Sequence, residues 1–256
     1  MPPPVAVSRD VPAPDLPATG HPATAPDSHV PSTSLAHVAA LVREAVPPMH
    51  PGGRPVVAAV AVAAGLARLV TGRGALVGGL VTAATAAFFR NPRRVPPART
   101  GVVLAAADGT VALVSEVVPP PELDLPRVPA PRVSVFLSVL DVHVNRMPVA
   151  GRVTDYFVVD GGYANAMTAA AEHNVAAYTV LDTDHGTVAV AQRTGLIARR
   201  IVQRAPIGTL VARGERLGLI RFGSRTDVYL PADRAEAVVA VGDKVIGASS
   251  VIARWK

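Results

Sequence analysis

Leu219-Ile220-Arg221-Phe222-Gly223-Ser224-Arg225-Thr226-Asp227-Val228-Tyr229-Leu230-Pro231 is an apolar run, a Gly-Ser dipeptide and a second, alternating run that ends at a proline. The pattern predicts two strands that meet at Gly223-Ser224. Glycine lets the backbone bend into conformations other residues avoid, and the missing Cβ leaves its carbonyl open to attack by the next hydroxyl, that of Ser224. A Gly-Ser pair between strands is most often a turn or bulge, and these residues alone leave that reading standing beside a reactive one.

Outward from this pair, everything beyond residue 100 reads as short β-rich runs with turn signals between them. Strands are predicted over 102–104, 110–118, 132–139, 152–159, 187–192, 209–213, 217–222, 227–230 and 237–241. Residues 163–173 are expected to form a helical turn, and 195–203 fit either helix or strand. The predicted fold class is α+β: a mostly β body with sandwich-like sheets over 95–256, a helical region over 34–94, and a Pro/Ala-rich tail over 1–33 that reads as disordered. The tail has no basic start followed by an apolar core and a small-residue cleavage site, so it does not read as a secretory signal.

Within the helical region, a capped helix is predicted over 34–46, stopped by Pro47-Pro48. Two apolar stretches follow, 56–67 and 75–89, separated by Arg68 and the turn Thr71-Gly72-Arg73-Gly74. Each is shorter than the ~20 residues that a spanning helix needs, so a hairpin dipping into one leaflet is favoured over two full spans. Gly78, Gly79 and Ala83 would let two helices pack closely. A buried helical hairpin is the alternative. The cluster Arg90, Arg93 and Arg94 after Phe88-Phe89 favours the membrane, where arginines meet lipid phosphates.

Composition narrows the classes. The 256 residues are 50% hydrophobic, enough for a sizeable core, and carry a formal net charge of +6 in which Lys244 and Lys256 are the only lysines. A basic chain suits nucleic acid or anionic lipid. Aromatic residues make up only 4%, which leaves few stacking platforms for single-stranded nucleic acid and favours lipid. The chain has no cysteine, which excludes disulfides, thiol nucleophiles and cysteine-ligated zinc. His173 and His185 have no spacing partner, so no metal is expected.

Two further motifs carry candidate chemistry. In Ala106-Ala107-Asp108-Gly109-Thr110-Val111 an acid stands beside a glycine at the start of a strand, in a pair that is also an ordinary turn. In the run 140–153, Asp141, His143 and Asn145 would share one face if the segment were extended. A strand histidine is more often a hydrogen-bonded structural residue than an acid/base.

The stretch Gly214-Glu215-Arg216-Leu217-Gly218-Leu219-Ile220-Arg221-Phe222-Gly223-Ser224-Arg225 resembles the self-cleavage region of the phosphatidylserine decarboxylase family, in its short bacterial branch. The resemblance extends over 50–253 and takes in His50-Pro51-Gly52-Gly53-Arg54-Pro55, Phe88-Phe89-Arg90-Asn91-Pro92-Arg93-Arg94, both motifs above, and the segment 190–202. It implies a proenzyme that cuts itself between Gly223 and Ser224. The products are a 1–223 chain and a 224–256 chain whose serine becomes an amino-terminal pyruvoyl group, so no external cofactor is needed. It also implies decarboxylation of phosphatidylserine to phosphatidylethanolamine at the cytoplasmic face of the cell membrane, by a heterodimer of the two chains with higher assembly left open.

By position, Asp108 inherits the acid of a Ser-His-Asp arrangement and His143 becomes the general acid/base. Two departures stand out. Arg146 occupies the place of a second histidine found in other branches, so His143 has to serve both self-cleavage and decarboxylation. Arg193-Thr194 replaces the usual isoleucine-alanine ahead of Gly195. Asp141, Asn145, Arg199 and Arg200 are candidate supporting residues, the last two for the lipid phosphate. Two other readings remain: an ether-lipid analogue of phosphatidylserine as substrate, and a membrane-tethered lipoyl-like β module that would use Lys244 at a hairpin tip.

Overall fold

The computed structural model describes residues 47–123, 125–196, 201–203, 205–220 and 223–256. The 1–33 tail, the helix expected over 34–46, and Arg199, Arg200, Arg221 and Phe222 lie outside the described residues.

Two apolar helices come first, α1 (Arg54–Thr71) and α2 (Ala75–Phe88). The sequence pattern suggested that the first would stop before Arg68. The helix instead continues one turn through Leu69 and Val70, with Arg68 in the last turn, where a cation meets the negative end of the helix dipole. Residues Pro51–Thr71, with mean hydropathy 1.6, are thereby long and apolar enough to cross a membrane by length and composition. Gly78 packs directly against Ala64 of the facing helix, as its lack of a side chain allows. Most of the large side chains of the pair are exposed, among them Leu66, Leu69, Val70, Leu76, Val77 and Leu80.

The body is antiparallel β throughout its named pairings. In chain order the strands are β1 (Val102–Leu104), β2 (Gly109–Val117), β3 (Ala130–Leu137), β4 (Val144–Arg146), β5 (Gly151–Val159), β6 (Ala176–Thr183) and β7 (Gly186–Arg193). They continue with β8 (Ile201–Gln203), β9 (Leu210–Val211), β10 (Arg216–Ile220), β11 (Ser224–Tyr229), β12 (Ala235–Ala237), β13 (Lys244–Val245) and β14 (Val251–Trp255). An eight-stranded sheet runs β13-β2-β3-β11-β7-β6-β5-β9, and two three-stranded sheets run β4-β10-β8 and β1-β14-β12. The expected helical turn is a short 3-10 helix, Ala169–His173.

Strands do meet at Gly223-Ser224, but not as a hairpin. β10 lies in a three-stranded sheet and β11 in the eight-stranded one, so the dipeptide carries the chain from one sheet to another. β11 is paired on both sides, with β3 and β7, and all six of its residues are buried. Val228 on its inner face joins Val133, Val135, Val188, Val190, Leu217 and Ile252 in the main core. Each such side chain contributes about 1.5–3 kcal/mol by leaving water.

The helices are seated on the body by a separate cluster of Phe88, Phe89, Val142, Val144 and Leu219, with Met49, Val56 and Val57 packed against it. The main chain reinforces the seat, with the His50 amide on the Phe89 carbonyl at 2.8 Å and the Asn91 amide on the Pro48 carbonyl at 2.7 Å. The arginine cluster is not a uniform interfacial band. Arg94 pairs with Asp108 at 2.8 Å, Arg90 donates to the Leu140 carbonyl at 2.5 Å, and of the three only Arg93 is exposed. Lys244 lies in β13, paired with β2, and its ammonium donates to Thr110 Oγ1 at 2.6 Å. It is not at a hairpin tip, which removes the feature on which the carrier reading rested.

Candidate active site

Gly223 adopts φ +54°, a left-handed conformation that favours glycine. There is open space where its Cβ would be, so conformation rather than crowding selects the residue. Gly195 is selected the other way. A Cβ built there would fall on the Gly223 carbonyl oxygen and would stand 3.3 Å from Ala166 Cβ. The Gly223 carbonyl therefore packs on the bare Cα of Gly195, a contact that sequence reasoning did not single out although it quoted the segment.

Ser224 begins β11 opposite Leu137 of β3 and is fully buried. Side chains alternate along a strand, so Ser224 and Thr226 share the inner face. Thr226 stands opposite Gln192 of β7, and Gln192 donates to Asn145 Oδ1 at 2.6 Å, joining the eight-stranded sheet to β4. Thr179 of β6 belongs to the same face of the sheet. Ser224 Oγ, Thr226 Oγ1, Gln192 Oε1, Asn145 Nδ2, Thr179 Oγ1 and His143 Nε2 are buried without a hydrogen-bond partner among the described residues. Leaving a buried polar atom unpaired costs about 1–3 kcal/mol, so a row of them in an otherwise apolar core marks a place built for chemistry or a ligand. Thr226 and Gln192 were not foreseen as members; the signal was the unusual occurrence of polar residues within apolar strands.

His143 is fully buried just before β4, and its carbonyl accepts from the Ile220 amide at 3.3 Å, three residues before Gly223. Nδ1 lies 2.9 Å from the Asp141 carbonyl. A carbonyl only accepts, so Nδ1 carries the proton and Nε2 holds a lone pair. Burial drives the histidine pKa down from 6.5 to about 4, against the raising effect of the Asp141 carbonyl and carboxylate, so the ring is neutral at pH 7. The Phe88 ring packs on the imidazole with centroids 4.2 Å apart, which joins the foot of the helical hairpin to the site.

The extended row Asp141-His143-Asn145 is not formed. Residues 138–141 make a turn in which Asp141 Oδ2 accepts from the Ser138 amide at 2.8 Å and hydroxyl at 2.6 Å, so only His143 and Asn145 are drawn into the interior. Asp108 accepts from Arg94 at 2.8 Å and from the Gly247 amide at 2.8 Å, and among the described residues it makes no hydrogen bond to His143. Burial raises its pKa, with the Gly247 hydrogen bond and Arg94 opposing. The two motifs are nevertheless neighbours, because the Arg146 amide donates to the Ala106 carbonyl at 2.8 Å. Arg146, in the place of the second histidine, spends its guanidinium on the Gly214 carbonyl at 3.1 Å and the Pro92 carbonyl at 2.6 Å.

The model of the phosphatidylserine decarboxylase family matches residues 81–253. A phosphatidylserine decarboxylase proenzyme of Rhodococcus jostii is 51% identical over 226 residues, covering 87% of this chain and 94% of the relative. The chain belongs to the phosphatidylserine decarboxylase family. Proteins of the same name from Saccharopolyspora erythraea and Mycobacterium tuberculosis are 48% and 46% identical, covering 87% and 86% of this chain and 95% of each relative. The family match takes in the end of α2, the two polar motifs and the Gly223-Ser224 junction.

The depressed histidine pKa has a direct consequence for this family member. Above pH 6.5 neither folded nor unfolded chain holds the proton. Between 6.5 and about 4 the unfolded chain takes it up and the folded chain does not, so stability falls as pH falls, by about 3 kcal/mol in all. Below about 4 this loss is complete. In the Ser224→Ala background, urea midpoints should drop across that window, and the His143→Gln variant should show a flatter profile over the same pH range.

Proposed function

We propose that this chain is a phosphatidylserine decarboxylase made as a proenzyme, which cuts its own Gly223–Ser224 bond and carries its catalytic carbonyl at position 224. The observation that carries the reading is the junction itself. A left-handed glycine seats its carbonyl on Gly195 and is followed by a buried, unpartnered serine hydroxyl, and the strand leading into it is hydrogen-bonded at Ile220 to the main chain of a neutral histidine.

The steps follow from these groups. His143 Nε2 takes the proton from Ser224 Oγ, which attacks the Gly223 carbonyl carbon. The C–N bond breaks, the proton passes to the freed amine, and an ester joins Gly223 to Ser224. Loss of the Ser224 Cα proton then expels the Gly223 carboxylate and leaves dehydroalanine. Water converts this to the pyruvoyl group with release of ammonia.

The residues around Ser224 fit such a group. The Oγ is already unpaired, and Thr226, Gln192 and Asn145 bring unpaired polar atoms to the same interior face. The pyruvoyl carbonyl supplies an electrophile for the serine amine and a sink for the electron pair left when carbon dioxide departs. His143, the single histidine of this motif, returns a proton to the substrate carbon. Asp108, held by Arg94 and Gly247, keeps charge beside the His143 motif. After the cut, residues 224–256 remain integral, since β11 sits between β3 and β7 while β14 pairs with β1 and β12.

The exposed apolar faces of α1 and α2 enter the lipid, which brings the substrate headgroup to a site whose histidine touches the foot of the hairpin. Anionic vesicles should therefore pull down the protein, and Leu69→Glu with Leu76→Glu should weaken that binding by about tenfold or more. Unchanged binding would refute the membrane role of the hairpin.

Intact mass under denaturing conditions tests the self-cleavage. The native protein should give one chain ending at Gly223 and a 224–256 chain with a carbonyl terminus. The Ser224→Ala variant should stay whole, and His143→Ala should cut about 10²–10⁴-fold more slowly. A native chain that remains whole would contradict the reading.

A further inference from the structure

Behind Ser224, on the opposite face of the eight-stranded sheet, lies a buried ionic cluster that the chemistry above does not use. Arg225 of β11 stands in register opposite Arg193 of β7, and both are 2% exposed. Like charges directly opposite in a sheet repel, and burial removes the water that would screen them.

Asp227, fully buried, lies between the two. Arg193 Nε donates to its Oδ2 at 2.6 Å, and Arg225 Nη2 donates to the same oxygen at 3.0 Å. Arg225 Nε also approaches Oδ1 at 2.8 Å, off the line of its N–H bond, as an ion pair rather than a hydrogen bond. Burial favours the protonated carboxyl, but Arg225 and Arg193 outweigh it and hold the Asp227 pKa below the ordinary carboxylate value. Glu172 does not replace it. That carboxylate is a third exposed, reaches Arg225 at 2.9 Å and stays 3.8 Å from Arg193.

The position of this pair gives it meaning. Arg225 directly follows Ser224, and Arg193 stands two residues before Gly195, the residue on which the Gly223 carbonyl packs. Whatever holds positions 193 and 225 together also sets Gly195 against the scissile peptide.

We propose that Asp227 is a positioning residue for self-cleavage: by bridging Arg193 and Arg225 it holds the ends of β7 and β11 in contact, and so keeps the Gly223 carbonyl seated on Gly195 beside Ser224. This rests on the self-cleavage reading. Asp227 touches none of the reacting atoms and acts through the two strands.

The test follows the cut fraction of the full chain during cell-free synthesis, by intact mass. Asp227→Asn leaves two buried guanidiniums facing each other and should slow cutting about tenfold or more. Adding Arg193→Met removes the repulsion, and the double variant should return to within about threefold of the wild-type rate. Thermal melts in the Ser224→Ala background should show cooperative unfolding for both. Asp227→Asn cutting at the wild-type rate would overturn the proposal. So would a double variant no faster than the single one, or an Asp227→Asn chain that has lost cooperative unfolding and is not repaired by Arg193→Met. An uncut wild type would be a different failure, of the self-cleavage reading on which the proposal rests.

Discussion

The contact between the Gly223 carbonyl and the Cα of Gly195 depends on β11 being held between β3 and β7 from Arg225 to Tyr229, with Ser224 paired to β3. A strand paired on both sides cannot shift register without turning its inner face outward. That constraint puts Ser224 and Thr226 inside with Gln192, and Arg225, Asp227 and Tyr229 on the other face. The same pairing would retain residues 224–256 in the fold if the peptide bond before them were cut, because a junction between two sheets carries no named strand pairing across it.

Electrostatics divide the two faces of this strand. On the inner face the polar groups are neutral and, apart from the Gln192–Asn145 hydrogen bond, largely unpaired, and burial keeps His143 uncharged with its Nε2 lone pair free of the Asp141 carbonyl. On the other face three arginines gather on two carboxylates, Asp227 and Glu172, with one positive charge in excess, and Tyr178 and Tyr229 accept from Arg193 at 2.9 and 3.1 Å. Removing one member of such a buried set leaves an uncompensated charge, which is far more costly than the pairing is favourable.

Much of this was legible in the sequence, for identifiable reasons. Alternating β-branched residues placed β2, β3, β5 and β7 within a residue or two, and the turn signals between them were clear. β6 was missed because Ala176-Ala177-Tyr178-Thr179-Val180-Leu181 is buried on both faces and shows no alternation. β4 was missed because it has only three residues and follows a turn set by Asp141. Gly223, Ser224 and His143 stood out through their motifs. Gly195, Gln192 and Asp227 did not, because their importance arises from partners distant in the sequence: a carbonyl 28 positions away, an amide on β4, and an arginine on a neighbouring strand. Local spacing carries no record of such contacts.

The most direct measurement is release of labelled carbon dioxide from carboxyl-labelled phosphatidylserine in mixed micelles, followed alongside the fraction of chain cut. The account predicts that release rises in proportion to the cut fraction and is absent from the whole Ser224→Ala chain. Carbon dioxide release by the uncut variant, or none from fully cut wild type, would contradict it.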